Sequence, residues 1–339
     1  MSHSPHQRRV SVVITVKNDP GGIALALESL AAQSRMPDEI VVVDGGSADA
    51  TLQTVQQFTA TLPMLRVVVA PGANIAAGRN RAVREATGDI IATTDGGCRA
   101  DPNWLRSLMR PFEADPNVEF VAGFYRVTGV TLLERVIGLA TMRGQMDEVD
   151  PRTFNPSARS MALTKELWRR AGGWPEWVNF SEDTLFDHHV RELGGKWAFA
   201  KDAVVDWRPR TSLRALGRQF HAYGTGRGQT GIDAAGYRYN IRNLVVIVAS
   251  LLLWPVTWWA GAITTALAFY FGWWAHHGLA RRVAQRLQSW RAYFLCIAVM
   301  NVVTMAGACG YVVGWWRGCH SAQARPAHAE PLLLSDPSA

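Results

Sequence analysis

Three acidic positions are set apart by their neighbours. Asp44 closes the β-branched run Glu39 to Val43 and precedes Gly45-Gly46-Ser47; Asp95 closes Asp89 to Thr94 and precedes Gly96-Gly97; the pair Glu182-Asp183 follows Gly172-Gly173-Trp174 and opens a helical stretch. Glycines beside a carboxylate remove side-chain bulk and let a ligand approach the backbone closely. Two adjacent acids in a loop can hold one carboxylate near a hydroxyl and take its proton. The same residue types also start turns and helix N-termini, so their place in the fold has to decide between the two uses. Arg79 stands on a helical stretch behind a glycine-bearing loop, and Arg208 and Arg210 follow Asp206-Trp207. Guanidinium groups pair with phosphate oxygens; they equally serve a solvated helix face or a basic patch against a membrane.

The elements that must carry these residues alternate. Val10 to Val16 reads as a strand, Asn18-Asp19-Pro20-Gly21-Gly22 as a turn and Ile23 to Gln33 as a helix. The pattern repeats with a strand over Glu39 to Val43 and helical spacing from Ala48 to Thr59. It repeats again with a strand over Leu65 to Val69 and a helix from about Ala76 to Ala86, before a fourth strand over Asp89 to Thr94. Such alternation implies a mostly parallel sheet covered on both faces, whose ligands bind beyond the C-terminal strand ends. Asp44 and Asp95 stand at two of those ends and are expected to reach one crevice. Residues 100 to 240 read as the acceptor half of the same domain.

The 339 residues carry a formal charge of +7, which suits an anionic membrane face or phosphorylated substrates. Arginines crowd at 208 to 242 and 281 to 291 beside apolar runs, which argues against a nucleic-acid partner. The cysteines Cys98, Cys296, Cys309 and Cys319 have no metal-ligand spacing. Residues 1 to 9 lack the apolar core of a secretory signal and are expected to be disordered. Leu244 to Ala275 is almost wholly apolar and reads as a hairpin of two spans turning near Trp258 to Gly261, within a membrane region over 236 to 317. Arg238 and Arg242 before it, and Arg281, Arg282, Arg286 and Arg291 after it, put both flanks on the cytoplasmic side. A third apolar helix, about 293 to 316, is long enough to span, and a disordered tail is expected over 318 to 339.

Several runs, in order, carry a resemblance. Ser11 to Asn18, Glu39 to Asp49, Gly78-Arg79-Asn80-Arg81-Ala82, Asp89 to Asp95, Gly172-Gly173-Trp174-Pro175-Glu176 and Ser181-Glu182-Asp183-Thr184-Leu185-Phe186 together resemble family 2 glycosyltransferases of the GT-A fold over residues 10 to 235. The resemblance implies a Rossmann-like mixed sheet with flanking helices, followed here by C-terminal transmembrane helices. It implies an inverting transfer from a UDP, GDP or dTDP sugar to a lipid-linked or glycan acceptor near membrane lipids, as in cell-envelope polysaccharide biosynthesis. Residue by residue, Asn18, Asp44, Arg79 and Asp95 fall to the donor, Asp183 to the catalytic base and Glu182 to its neighbour. Asp95 matches the first position of an Asp-x-Asp motif that holds Mg2+ or Mn2+, although the third position is Gly97 and Trp207 stands where many relatives have a metal-binding histidine. Trp174, Arg208, Arg210 and Gln219 are the candidate acceptor or phosphate contacts, with Trp174 stacking on a sugar face or packing its loop. Gln219-Phe220-His221-Ala222-Tyr223 keeps the Gln of the Gln-x-x-Arg-Trp motif of processive synthases without its Arg-Trp, which favours single transfer. A nucleotide-sugar-binding scaffold that has lost catalysis is the competing reading. A nicotinamide dehydrogenase is disfavoured, because the first strand leads into no Gly-x-Gly-x-x-Gly turn.

Overall fold

The computed structural model describes residues 8–142, 149–150, 154–255 and 257–320. In chain order the elements are β1 (Val10–Val16), α1 (Pro20–Ala31), β2 (Glu39–Asp44), α2 (Thr51–Gln57), β3 (Leu65–Val69), α3 (Ile75–Glu85), β4 (Ile90–Asp95), β5 (Cys98–Ala100), α4 (Trp104–Ala114) and β6 (Phe120–Val127). They continue with α5 (Leu132–Thr141), β7 (Met161–Thr164), α6 (Lys165–Arg170), α7 (Glu182–Glu192), β8 (Trp197–Trp207), α8 (Leu213–Thr230), α9 (Ala234–Leu253), α10 (Trp258–Leu287) and α11 (Trp290–His320). The chain divides into two compact units, residues 1–127 with 148–208, and residues 128–147 with 209–339.

The first unit is built on one mixed sheet, in the order β3-β2-β1-β4-β7-β6-β8-β5 among the described residues. The first four strands run parallel, and β7 runs antiparallel to both β4 and β6. Strands β1, β2 and β4 are buried almost throughout, as strands covered on both faces are. Their valines and isoleucines, with Trp104, Phe120 and Leu163, make the core. The turn expected over residues 18 to 22 is mostly the first turn of α1. Pro20 stands at its start, where a missing amide hydrogen costs nothing, and the Asp19 carboxylate accepts from the Gly22 amide at 2.9 Å.

The second unit is helical. Val136 and Ile137 of α5, Leu216 of α8, Ala280 and Val283 of α10, and Ala292, Cys296 and Val299 of α11 form its buried core. Helices α8 and α11 meet at backbone distance: a Cβ on Gly224 would overlap the Gly307 carbonyl, and one on Gly310 would overlap the His221 carbonyl. The division between units falls after residue 208, whereas the sequence reading put it near 235. Physically, α8 buries its glycine face on α11, and α5 brings two branched side chains into the helical core. The break between α9 and α10 falls at 254–257, earlier than the expected 258 to 261, at Pro255, whose ring has no N–H to continue a helix. Nothing interrupts α10 until Gln288, so Arg281, Arg282 and Arg286 ride on the helix itself. Among the described residues one helix, Trp290–Cys319, is long and apolar enough to cross a membrane. Of the residues expected to be disordered, 1–9 and 318–339, residues 1–7 and 321–339 lie outside the described residues, whereas 318–320 continue α11 instead of belonging to a tail.

Candidate active site

Register places the first acids. Asp44 pairs with Val16 and Asp95 with Thr15, on either side of β1. Both residues therefore stand at the C-terminal edge of the parallel strands, their backbones about 10 Å apart by strand spacing. Their environments differ. Asp44 is 1% exposed, and its carboxylate accepts from the amides of Gly46 and Ser47 at 3.2 and 2.9 Å and from the Ser47 hydroxyl at 2.5 Å. It is thus the acceptor that shapes its own loop, and a nucleoside would meet that loop rather than a free carboxylate. Asn18, at φ 52°, joins the same edge: its side-chain oxygen accepts from the Ala48 amide at 2.9 Å, while its own amide donates to the Ser47 hydroxyl at 2.9 Å. Two loops at the C-terminal edge of the sheet are tied together in this way.

Helix α3 organises the other half. Asn74 caps it by accepting from the Ala77 amide at 2.9 Å and donates to the Glu176 carbonyl at 2.8 Å. Asn80 donates to the Trp174 carbonyl at 2.7 Å and accepts from the Trp174 amide at 2.9 Å. Between them Arg79, 5% exposed, donates to Glu182 at 2.7 Å and to Asp95 at 3.0 Å. One guanidinium thus joins two acidic motifs distant in sequence. Burial works against the Arg79 cation, but Asp95, Glu182 and Asp183 outweigh it and hold its proton more tightly than usual. Burial would likewise raise Asp95; Arg79 and Arg159 outweigh that too and keep its carboxyl below the usual range. Glu182 is shifted the other way, raised by burial and the Asp183 charge against the pull of Arg79.

Ser181, just before α7, sits at φ 69°, a left-handed conformation that a non-glycine residue holds at a cost of roughly 1–3 kcal/mol. That kink starts the helix on Glu182-Asp183, with Glu182 buried against Arg79 and Asp183 partly exposed. Asp183 accepts from the Thr184 amide at 2.8 Å. An ion-paired acid behind and a partly exposed acid in front suit an orienting residue and a proton acceptor, respectively.

Trp174 serves the loop rather than a ligand. It is 1% exposed and stacked on Phe186 at 4.5 Å between ring centroids, so the sugar-stacking use is corrected to packing. Arg208 is exposed at the end of β8. Arg210 and Gln219 belong to the helical unit, where the Gln219 amide donates to the Tyr223 hydroxyl, one turn along α8, at 2.8 Å.

Two residues escaped the sequence reading. Arg159 precedes β7 and lies with its Nε 3.7 Å from Asp95; its guanidinium donates to the Ser157 hydroxyl at 3.1 Å and stands 4.9 Å over the Trp207 ring. Asp187, one turn beyond Asp183, is 2% exposed, and neither carboxylate oxygen finds a hydrogen-bond partner among the described residues. Burial pushes it well above the ordinary carboxylate range, and the Asp183 charge adds to that. An acid raised on folding stabilises fully below its unfolded value, here 3.8, and loses that contribution as pH climbs through the folded value. Asp187→Asn, which copies the neutral acid, is therefore expected to melt higher at pH 7, by about 2–4 °C for each kcal/mol recovered. Below about pH 4 the difference should vanish; thermal melts across pH check this.

The surroundings of Asp95 do not suit the expected Mg2+ or Mn2+. Such a cation takes several oxygen ligands, yet both Asp95 oxygens face guanidinium groups and the third motif position is Gly97. Among the described residues no group of three His, Cys, Asp or Glu side chains is placed to hold a metal.

The chain is similar to the glycosyltransferase AglE of Haloferax volcanii, 27% identical over 72% of this chain and 79% of that protein. It is similar to the pre-mycofactocin glycosyltransferase of Mycobacterium tuberculosis, 26% identical over 74% and 53% of the two chains. Its fold matches the mannosyltransferase PcManGT of Pyrobaculum calidifontis, solved with GDP-Man and Mn2+, at a TM-score of 0.56 and 22% identity, covering 94% of this chain and 89% of that one. Residues 11–165 match the family model described as glycosyl transferase family 2. The matched stretch begins in β1 and runs to the first residue of α6, taking in both strand ends that carry acids and the helix that carries Arg79; over that stretch the chain is similar to glycosyl transferase family 2, its fold is of the GT-A type, and it is a glycosyltransferase.

Proposed function

We propose that this chain transfers a single sugar, with inversion, from a nucleotide-sugar donor to a lipid-linked or other membrane-proximal acceptor. The observation that carries the reading is the Arg79 bridge, which ties Asp95 to the Glu182-Asp183 pair. In the proposed reaction the acceptor hydroxyl attacks the sugar's anomeric carbon while Asp183 takes its proton. The bond from that carbon to the diphosphate oxygen breaks, and the nucleoside diphosphate leaves with the bonding pair. Glu182, held by Arg79, fixes the loop that presents Asp183. Asn18 and the loop shaped by Asp44 border the nucleoside, and Asp95 and Arg79 line the diphosphate side. Donors of the UDP, GDP and dTDP classes all fit this chemistry; the similar mannosyltransferase was solved with GDP-Man.

Membrane association rests on the helical unit. Its apolar helix α11 has the length of a span, and Trp258, Trp259, Phe269, Trp274, Trp290, Trp315 and Trp316 are all more than half exposed. An exposed aromatic surface of that size marks a membrane or protein contact, and tryptophans favour the membrane interface. With α9 and α10 as a second and third crossing or a half-inserted hairpin, the arginines at 281 to 291 would face the cytoplasm, and the sheet unit with them.

The test is turnover of UDP-, GDP- and dTDP-sugars by purified chain in lipid nanodiscs with lipid extract as acceptor. Sugar transfer by wild type that Asp183→Asn abolishes supports the reading. Donor binding with equal, negligible transfer by both would move the protein to the non-catalytic scaffold.

A further inference from the structure

The donor's diphosphate needs a cation opposite it, and the place beside Asp95 already has one. We infer that the Arg159 guanidinium takes the part of a divalent metal ion in this enzyme, so that nucleoside diphosphate binding does not depend on Mg2+ or Mn2+; the inference rests on the glycosyl-transfer reading above.

Three observations support this. First, Arg159 is held where it can act. Its Nε faces Asp95 at 3.7 Å, Ser157 accepts from its Nη1 at 3.1 Å, and its planar head lies 4.9 Å over Trp207 and 5.9 Å from the Tyr125 ring centre. A guanidinium steadied on an aromatic face keeps its edge donors for oxygen partners. The side chain is 19% exposed and Asp95 30%, so a ligand can reach both. Second, register puts Trp207 directly across from Cys98, one residue beyond Gly97. Its indole, under the Arg159 guanidinium, is no ligand for a hard cation.

Third, the charges balance. Two carboxylates with a divalent ion sum to zero, and one carboxylate with one guanidinium also sums to zero. Replacing the second acid by Gly97 and the metal by Arg159 therefore leaves the local net charge beside a diphosphate unchanged. A metal added to this arrangement would have to share Asp95 with a neighbouring cation, at a repulsive cost. Arg159 also has the geometry for the task, since a guanidinium can donate two parallel hydrogen bonds to phosphate oxygens.

Calorimetric titration of the full chain with UDP, GDP and dTDP, in EDTA and again in Mn2+, tests the inference. The best of the three is expected to bind equally within about twofold under both conditions. Arg159→Ala should weaken that diphosphate by about tenfold or more, in line with loss of charge-assisted hydrogen bonds. It should weaken the corresponding monophosphate much less, with Arg159→Lys between. Gly97→Asp, which leaves Arg159 and its loop untouched, gives an independent arm. A Cβ there would meet only Asp19, at 3.8 Å, and the restored acid should make binding stronger in Mn2+ than in EDTA. Wild-type binding that is lost in EDTA and regained in Mn2+ overturns the inference and leaves the glycosyl-transfer reading standing. No binding of any of the three nucleotides under either condition overturns both.

Discussion

Asp183→Asn is expected to lower the initial rate of sugar transfer by about 10²- to 10⁴-fold, the usual contribution of a positioned general base. Donor affinity should change little. The amide keeps the size of the side chain and its acceptance from the Thr184 amide at 2.8 Å, so the loop stays in place while the proton acceptor is gone. Glu182→Gln should behave differently. Glu182 faces Arg79 and is buried, while Asp183 is partly exposed, so the neutral variant loses an ion pair that orients the loop. A smaller loss of rate, accompanied by lower thermal stability, is the expected signature. Initial rates at saturating donor, with melts of the same preparations, separate the two roles.

Arg79→Met should be the most damaging single change to the sheet unit. Arg79 is 5% exposed and partners two acids, at 2.7 and 3.0 Å. Removing one member of a buried ion pair strands the other charges and costs about 3–5 kcal/mol, or roughly 6–20 °C in melting temperature for a unit of this size. Arg79→Lys keeps the charge but presents a single ammonium that does not span both carboxylates as the forked guanidinium does. It should recover part of the stability and little of the activity, because Asp95 and the Glu182-Asp183 loop would no longer be fixed to each other. Differential scanning calorimetry beside transfer assays reads both effects.

The strand ends were open to sequence reasoning because strands covered on both faces read as continuous runs of valine and isoleucine, and glycines mark where each stops. That logic put Asp44 and Asp95 at one edge, and the register of β1 with its neighbours agrees. The uses of individual side chains were less readable. Whether the carboxylate of Asp44 meets a ligand or its own loop depends on the rotation of Ser47, and Trp174 packs inward because Asn80 clamps its backbone on both sides. Arg159 lies in a stretch without periodicity, and only the pairing of β7 with β4 brings it beside Asp95. In the helical unit, apolar composition located the helices, while their limits followed from local chemistry. Pro255 set the break after α9, and facing glycines drew α8 onto α11.

The most direct measurement is an experimentally determined structure of Asp183→Asn with an intact nucleotide sugar. The account predicts the diphosphate against Arg159 and Asp95, and the sugar's anomeric carbon turned toward residue 183, with room between for one hydroxyl at about 3–3.5 Å. A nucleotide sugar bound away from the C-terminal edge of β1, β2 and β4, or with its anomeric carbon facing away from residue 183, would contradict it.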